Sequence, residues 1–215
     1  MHNSIEKMED LFNNIYELKN SEIKKLVDNR INEFYEIKSK AHHKLFEELC
    51  FCIMTANCSA DKCIEVQELI GDGFLNLSEE KLAHNLKLYG YRFPNIRAKY
   101  IVQARQIRGE LKSNIKTYKD PHKLRKWIVN NIKGLGYKEA SHFLRNIGFT
   151  DYAIIDFHIL DLLARFNLVE KPKTLTKVKY LEIEDLLRKF AERLNLNLAE
   201  LDLYMWYIET GKILK

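Results

Sequence analysis

The sequence predicts an all-α protein. Its 215 residues include only eight glycines and three prolines, and 30% of them are charged. This composition favours long helices over many short strands. Hydrophobic residues make up 46% of the chain, which is enough to bury a sizeable core in one large or two small domains.

Apolar residues repeat at helical spacing along the whole chain, and we find neither an internal repeat nor a low-complexity linker. Several segments begin at a residue that caps helices well: Ser21, Ser59, Ser78, Asn197, and Asp120 followed by Pro121 at the first helical position. The predicted helices, in chain order, cover residues 4–18, 22–38, 43–56, 60–70, 79–89, 95–111, 121–132, 138–147, 157–166, 178–194 and 198–211.

A tight turn joins two of these helices in the stretch 127–160. Apolar residues keep helical spacing over 127–132, Gly134 and Gly136 interrupt it, and the spacing resumes over 138–147. Neither glycine carries a Cβ, so both can adopt a positive φ and let another chain approach closely. Backbone N–H groups at the start of the second helix then suit a phosphate oxygen. The alternative is an ordinary turn between helices.

Positive charge is concentrated around this turn. Residues 92–145, which we call the basic block, hold 14 Lys and Arg against three acids, and Lys133 lies directly before Gly134. Such segregation suits a polyanion held on one face, although a solvated basic surface is the alternative. Phosphate binding by the block and the turn together is the simpler account. Another lysine group, at positions 171, 173, 177 and 179, is interpreted as a solvated connection.

Short motifs in this region resemble a known family. IKGLGYKEA resembles the helix–hairpin–helix of DNA repair proteins, and Lys138, followed by Asp156 in AIIDFHIL, resembles the catalytic pair of the helix–hairpin–helix DNA glycosylase superfamily. KEASHFLRNIG and the short chain ending in lysine are most similar to the archaeal-type 8-oxoguanine DNA glycosylase/AP lyases. The resemblance implies one glycosylase unit over residues 1–215, with its hairpin at about 127–147. It also implies two helical subdomains with the active-site cleft between them.

The chemistry of the pair can be reasoned from the residues. Lys138 would lie at the mouth of the hairpin, where a helix N-terminus and basic neighbours disfavour its protonated form and leave some free amine to attack a sugar C1′. Asp156 precedes an apolar helical run, where a carboxylate caps a helix, stays ionised and could stabilise oxocarbenium-like charge. Alone, the lysine suits a phosphate contact and the aspartate a helix cap. Together they favour an enzyme. His142 and His158 lie nearby and are assigned no chemical role.

The resemblance implies a bifunctional DNA repair enzyme. Such an enzyme excises 8-oxoguanine from double-stranded DNA and nicks the strand 3′ to the abasic site by β-elimination through a Schiff base of Lys138. Two alternatives stay open. One is a glycosylase/lyase for oxidised pyrimidines, similar to endonuclease III, and the other is a helix–hairpin–helix module that binds DNA without catalysis. The expected protein is a monomer in the cytoplasm of a prokaryote, associated with the nucleoid.

Two further segments supply candidate contacts to DNA. In IMTANCSADK, Asn57 resembles the superfamily residue that enters the gap left by an extruded base; alternatively, it ends one helix before Ser59 caps the next. Tyr91, Arg92 and Phe93 form an aromatic and cationic cluster on a predicted exposed loop, which could stack a base or pin the loop to the core. The resemblance places Phe93 at the base pocket.

The last eighteen residues stay apolar almost to the end of the sequence. An apolar stripe at helical spacing runs from residue 198 to residue 208, and Gly211 can close the helix. Residues 213–214 are apolar and would be unfavourable in a tail exposed to water. The C-terminal segment is therefore predicted to dock against the rest of the protein. The resemblance implies that Trp206 stacks on the extruded base and that Lys215, as a terminal lysine, helps to tell 8-oxoguanine from guanine.

The cysteines do not predict a metal site. Cys50, Cys52, Cys58 and Cys63 form no CxxC pair and have no clustered histidine, so we expect small buried thiols. The iron–sulfur cluster of many endonuclease III relatives needs cysteines near the C-terminus, and none follows Cys63. We therefore expect no metal, no iron–sulfur cluster and no other required cofactor. No apolar run has the length of a membrane span, and the N-terminus lacks a signal peptide's order, so no membrane partner is expected.

Overall fold

The described part of the chain is built from helices and their connections. The computed structural model describes the backbone of residues 2–39 and 42–215 and the side chains of residues 6–38 and 43–215. Thirteen α-helices and one short 3₁₀ turn occur within these ranges, and no strand does. The predicted all-α fold class is confirmed. No helix within these ranges is long and apolar enough to cross a membrane.

Most of the helices are joined by short connections. In chain order they are α1 (His2–Lys19), α2 (Ile23–Ser39), α3 (His42–Thr55), α4 (Ala60–Ile70), α5 (Gly73–Asn76), α6 (Glu79–Leu88), α7 (Pro94–Ala104), α8 (Arg108–Thr117), α9 (Pro121–Asn131), α10 (Tyr137–Asn146), α11 (Phe157–Arg165), α12 (Lys177–Leu194) and α13 (Leu198–Thr210), with the 3₁₀ turn Arg105–Ile107 between α7 and α8.

Two stretches differ from the prediction. Helix α5 is not predicted by the sequence pattern, and the predicted single helix over 95–111 is wrong, because a 3₁₀ turn separates α7 from α8. In this turn, the Arg105 guanidinium donates hydrogen bonds to the carbonyl oxygens of Phe74, at 2.8 Å, and Leu77, at 2.7 Å. Carbonyls at a helix end lack partners within the helix. One arginine therefore completes the end of α5 and ties the 3₁₀ turn to it.

The predicted caps are mostly observed. Ser78, Asp120 and Asn197 accept hydrogen bonds from backbone N–H groups in the first turns of α6, α9 and α13. Ser21 accepts one from the first residue of α2, at 3.2 Å. Ser59 lies at the start of α4 but its side chain accepts no capping hydrogen bond, so this expectation is wrong.

The chain divides into two compact units. The first unit comprises residues 1–35 and 148–215, and the second comprises residues 36–147. In the first unit, α13 is central because it packs against α1, α11 and α12. Every residue from Leu198 to Met205 except Glu200 is buried, so about two turns of this helix lie in the core of the unit.

In the second unit, α3 is the central helix. It packs against α4, α5, α7, α8 and α10, and each residue from Leu49 to Met54 has no exposed surface. Helix α10 is also enclosed, with every residue from Ala140 to Asn146 buried. Because this helix begins next to the predicted hairpin, the packing gives the hairpin a rigid support.

Buried polar side chains hold α9 and α10 together. The guanidinium of Arg125, which has no exposed surface, donates to Ser141 Oγ at 3.1 Å and lies 5.1 Å from the ring centroid of Tyr137. Ser141 Oγ donates to the Tyr137 carbonyl oxygen at 2.8 Å. Such contacts define one arrangement of two helices more narrowly than apolar packing alone. They fix the relative position of the two helices that flank Gly134 and Gly136.

Candidate catalytic and DNA-binding site

The hairpin glycines have different conformations. Gly134 has a φ of +88°, and a Cβ placed there would lie 2.5 Å from the Tyr100 ring and 3.4 Å from a guanidinium nitrogen of Arg97. Both the backbone conformation and the lack of space require glycine at this position. Gly136 has a φ of −92°, which any residue can adopt, so the expectation of a positive φ is wrong there. Its N–H donates to the carboxylate of Glu139, at 3.1 Å.

Lys138 is the second residue of α10 and is half-buried. The first-turn N–H groups of this helix have no acceptor within it, so a phosphate oxygen fits there. The Lys138 Nζ lies 3.3 Å from Glu139 Oε1. The sequence did not predict this ion pair.

Asp156 is the N-cap of α11. Its Oδ1 accepts a hydrogen bond from the Ile159 N–H at 3.0 Å, and its backbone is extended. The predicted capping role is therefore observed. Asp156 is half-buried, and its Oδ2 has no hydrogen bond within the part of the chain that the structure describes. One carboxylate oxygen thus anchors the side chain to the first turn of α11.

The segment before Asp156 is held by two side chains that were not among the predicted site residues. Tyr180 and Glu184, both on α12, form hydrogen bonds with the backbone of Ala153 and Ile155. A sequence signal existed, since Glu184 lies between apolar positions of a helix where an acid is rarely buried without a partner. The identity of its partner could not be read from the sequence.

Asn57 lies between α3 and α4 and is exposed, with a φ of +64°. This left-handed conformation suits an asparagine at the end of a helix. Arg97, on α7, donates to the neighbouring Ala56 carbonyl oxygen at 2.8 Å. The same arginine lies next to Gly134, so α7 links the loop that carries Asn57 to the hairpin.

Phe93 precedes α7 and is half-buried, and the Arg92 guanidinium lies 5.0 Å from its ring centroid. The predicted exposed cluster is wrong for Tyr91. This side chain is 3% exposed, and its hydroxyl donates to the Met54 carbonyl oxygen at 2.6 Å, which pins the loop to α3. Of the three residues, Arg92 is exposed and Phe93 is half-buried.

Trp206, on α13, belongs to an aromatic cluster with residues that follow Asp156. Its ring lies 5.0 Å from that of His158, edge to face, and the His158 ring lies 3.9 Å from that of Phe157. The Trp206 Nε1 is buried and has no hydrogen-bond partner among the described residues. Phe157 is 63% exposed and was not among the predicted site residues, although a large apolar residue in the first turn of a helix can be read from the sequence.

The tail after α13 is docked, as the sequence predicts. Gly211 ends the helix with a φ of +69°. Residues 213–215 are half-buried, and Arg30 of α2 donates to the Ile213 carbonyl oxygen at 3.4 Å. Lys215 is therefore held near the body of the first unit.

The candidate residues are distributed over both units. The first unit carries Asp156, Trp206 and Lys215, and the second carries Asn57, Phe93, Lys133, Gly134, Gly136 and Lys138.

Comparison with known proteins decides the family. Residues 27–196 match the family model described as 8-oxoguanine DNA glycosylase. The chain belongs to the 8-oxoguanine DNA glycosylase family. The resemblance predicted from IKGLGYKEA and KEASHFLRNIG is confirmed.

Family members of known name or structure match almost the full chain. The 8-oxoguanine DNA glycosylase/AP lyase of Korarchaeum cryptofilum is 48% identical and covers 97% of this chain and 99% of its own. A Methanocaldococcus jannaschii 8-oxoguanine glycosylase/lyase was solved in complex with 15mer DNA containing 8-oxoguanine. It is 52% identical with a TM-score of 0.93, and the match covers 95% of this chain and 99% of that one. The Thermotoga maritima 8-oxoguanine DNA glycosylase is 43% identical with a TM-score of 0.91, and the match covers 97% of this chain and 100% of that one.

In this 8-oxoguanine DNA glycosylase family member, part of the basic block is internal. Four of its 14 cations bond to other groups of the protein, and all of these except the half-buried Arg105 are buried: Arg97, Arg105, Arg125 and Arg145. The remaining cations are exposed or half-buried, and Lys133, beside the hairpin, is exposed. The charge count from the sequence therefore overstates the charge available to DNA.

The cysteines of this glycosylase family member are all free thiols. Cys50, Cys52 and Cys63 are buried as predicted, but Cys58 is half-buried, so the expectation is wrong for that residue. Among the described residues, no group of three or more His, Cys, Asp or Glu side chains could hold a metal ion.

Proposed function

We propose that this chain is a bifunctional DNA repair glycosylase. It removes 8-oxoguanine from double-stranded DNA and then cuts the strand 3′ to the abasic site. The observation that carries the proposal is similarity along almost the whole chain to proteins named 8-oxoguanine DNA glycosylase/AP lyase, among them the 52% identical protein of Methanocaldococcus jannaschii. The presence of both Lys138 and Asp156 supports catalysis rather than DNA binding alone.

Lys138 supplies the nucleophile. Its Nζ, as the free amine, attacks C1′ of the damaged nucleotide, and the N-glycosidic bond breaks with its electron pair leaving on the base. The nitrogen loses a proton and the C1′–O4′ bond breaks, which gives a Schiff base at C1′ and a hydroxyl at C4′. Asp156 stabilises the positive charge that develops on the sugar while the base departs.

The second reaction follows from the Schiff base. The C=N⁺ group acidifies the C2′ proton, and loss of that proton forms a C2′–C3′ double bond while the 3′ phosphate leaves. The strand is then nicked on the 3′ side. Water hydrolyses the Schiff base and returns Lys138 as an amine.

Extrusion of the damaged nucleotide precedes these steps. Unstacking a base costs a few kcal/mol, which contacts to phosphates and within the base pocket must offset. Lys133 and the backbone at Gly134 and Gly136 bind phosphates, and Asn57 enters the gap left by the base.

Base recognition is assigned to aromatic rings and a lysine. Phe93 and Trp206 stack on the extruded base, since every base has a π face to offer. The oxidised base differs from guanine by a C8 oxygen and an N7 proton, and Lys215 reads that edge. An amine and a carboxylate suffice for the chemistry, so the reaction needs no metal or iron–sulfur cluster. The protein acts as a monomer on nucleoid DNA in the cytoplasm.

Borohydride trapping of Lys138→Gln tests the nucleophile. The variant should give no covalent adduct and no strand cleavage on an oligonucleotide with 8-oxoguanine, while DNA affinity stays close to that of the wild type. Affinity survives because many phosphate contacts contribute to it. Lys173→Gln, which removes a lysine from the segment interpreted as a solvated connection, is the matched control and should behave as the wild type. An adduct with Lys138→Gln would remove Lys138 from the mechanism.

Asp156→Asn separates charge from capping. Asparagine caps helices as well as aspartate does, so α11 keeps its N-cap while the negative charge is lost. Single-turnover base excision should slow by about 100-fold, in line with the loss of an electrostatic contact to a developing charge, and DNA affinity should persist. An unchanged excision rate would reduce Asp156 to a helix cap.

The alternatives are distinguished by the substrate. Trapping yields on oligonucleotides with 8-oxoguanine, thymine glycol or an abasic site should favour 8-oxoguanine over thymine glycol. Preference for thymine glycol would identify an oxidised-pyrimidine glycosylase. Binding without an adduct on any of the three would identify a non-catalytic DNA-binding module.

A further inference from the structure

The chain reaches Asp156 through a buried segment that has no regular secondary structure. Residues 152–155 are at most 7% exposed, and none of them lies in a helix. Buried peptide groups need hydrogen-bond partners, which a strand usually finds in a neighbouring strand. No strand occurs among the described residues, so these groups depend on other donors and acceptors.

Side chains of α12 provide those partners. The Tyr180 hydroxyl donates to the Ala153 carbonyl oxygen at 2.6 Å and accepts from the Ile155 N–H at 3.4 Å. Glu184 Oε2 accepts from the Ala153 N–H at 3.1 Å. Both side chains are almost fully buried, at 2% and 1% exposure. Two side chains therefore replace a neighbouring strand over the residues just before Asp156.

A third side chain on the same face of α12 contacts the residue that precedes this segment. Residues four apart on a helix lie above one another, so Tyr180, Glu184 and Arg188 form one row. The Arg188 guanidinium pairs with the Asp151 carboxylate, and its Nη2 lies 4.0 Å from Glu184 Oε1. The row holds the chain from Asp151 to Ile155 at successive points.

We propose that Tyr180 and Glu184 are positioning residues for base excision, acting through Asp156. This inference rests on the role given to Asp156 in the proposed function. The Tyr180 hydroxyl fixes the peptide N–H of Ile155, and the cap bond to the Ile159 N–H fixes the carboxylate from the other side. A catalytic group must be held within about 0.5 Å of its productive position, and these two hydrogen bonds restrict the movement of the segment that carries the carboxylate.

Tyr180→Phe is the decisive variant, because it keeps the ring and removes only the hydroxyl. Single-turnover excision of 8-oxoguanine should fall by about 10- to 100-fold, since misplacement of a catalytic group by about 1 Å has effects of that size. DNA affinity should change by less than about twofold, because no phosphate contact is lost. Excision at the wild-type rate would overturn the inference.

A double variant tests whether Tyr180 acts through Asp156. In an Asp156→Asn background the charge that Tyr180 positions is already gone, so adding Tyr180→Phe should slow excision by no more than about twofold. Full additive slowing would overturn the inference and leave the proposed role of Asp156 intact. A wild-type rate for Asp156→Asn alone would instead refute that role, and the inference with it.

Glu184 offers a rescue test. Glu184→Gln keeps an oxygen that accepts from the Ala153 N–H and should retain most excision activity, whereas Glu184→Leu removes the acceptor and should lose it. Equal rates for the two variants would overturn the role of Glu184. Phe190→Leu, on the same helix and packed against Phe12, is the control for general destabilisation. It should lower the melting temperature and leave the excision rate unchanged well below that temperature.

Discussion

At the scale of single residues, Cys58 has the most unusual environment among the cysteines. It precedes the N-terminus of α4, and a hydrogen bond from the buried Cys63 thiol lowers its pKa to about 7, against the opposing effect of its partial burial. A backbone hydrogen bond at Ser59 and the charges of Lys62 and Arg92 act in the same direction as Cys63. The same thiol–thiol hydrogen bond, together with burial, raises the pKa of Cys63.

Alkylation should therefore select Cys58. Above a pH of about 7 its thiolate form dominates, and below that pH protonation should slow the reaction. Iodoacetamide labelling followed by peptide mass spectrometry should modify Cys58 alone in the native protein, because the other three thiols are buried. Cys58→Ser should remain unlabelled. A rate profile with its midpoint near the ordinary thiol value of 9.0 would contradict the assigned environment.

The sequence predicted the local features of the candidate site better than the distant ones. The capping role of Asp156 could be predicted because its partner is only three residues away. The contacts of Tyr180 with Ala153 and Ile155 could not, because they join residues 27 and 25 positions apart. The Glu139 carboxylate beside Lys138 is local, but a side chain that follows a helix start can point in several directions.

At the scale of secondary structure elements, the hairpin depends on Gly134. Alanine at this position would have to adopt a φ of +88° and place its Cβ 2.5 Å from the Tyr100 ring. The backbone conformation alone costs about 1–2 kcal/mol, and the steric conflict adds to it. Gly134→Ala should therefore lower both the free energy of unfolding and the affinity for DNA.

Gly109→Ala is the matched control. Gly109 lies in α8, and an added Cβ would meet nothing within 4 Å. Since glycine weakens a helix, the substitution should stabilise the protein by roughly 0.5–1 kcal/mol and leave DNA affinity unchanged. Thermal unfolding and DNA titration of both variants measure the two effects. A Gly134→Ala protein with wild-type stability would show that the turn is not constrained as described.

The docked tail after α13 allows base recognition to be separated from strand cleavage. Deleting Lys215 should slow excision of 8-oxoguanine by about 10-fold or more, the size expected when a charged hydrogen bond to the substrate is lost. Cleavage at a preformed abasic site should change by less than about twofold, because no base remains to be recognised. Lys212→Met, which neutralises an exposed lysine of the same tail, is the control. Equal loss on both substrates would contradict a role in recognition.

The ends of helices, like single residues, could be predicted from the sequence only where they depend on neighbouring residues. Starts with a local cap, such as Ser78, Asp120 and Asn197, were predictable because the capping partner lies within one turn. The break between α7 and α8 was not, because Arg105 bonds to carbonyls 28 and 31 positions away. Helical spacing predicts where a helix can form, and tertiary hydrogen bonds decide where this one ends.

At the scale of the whole molecule, positive charge has two separate uses. Four arginines of the basic block stabilise the fold, and ten other cations, exposed or half-buried, are left for DNA against three acids in the same range. Each phosphate that a protein cation neutralises releases counterions, so only the second group contributes to the dependence of DNA affinity on salt. Measuring that dependence distinguishes the two uses of charge.

Affinity for undamaged duplex DNA should accordingly fall steeply as salt rises, with log affinity linear in log salt concentration. Lys133 is exposed beside Gly134, and Lys133→Ala should reduce the magnitude of the slope by about one if this side chain contacts a phosphate. Lys173 is also exposed but lies in the segment interpreted as a solvated connection, so Lys173→Ala should leave the slope unchanged. Fluorescence anisotropy across a salt series compares the three proteins. If Lys173→Ala changed the slope as much as Lys133→Ala does, DNA would also contact a second surface of the protein. A slope near zero for the wild type would contradict DNA binding through phosphates altogether.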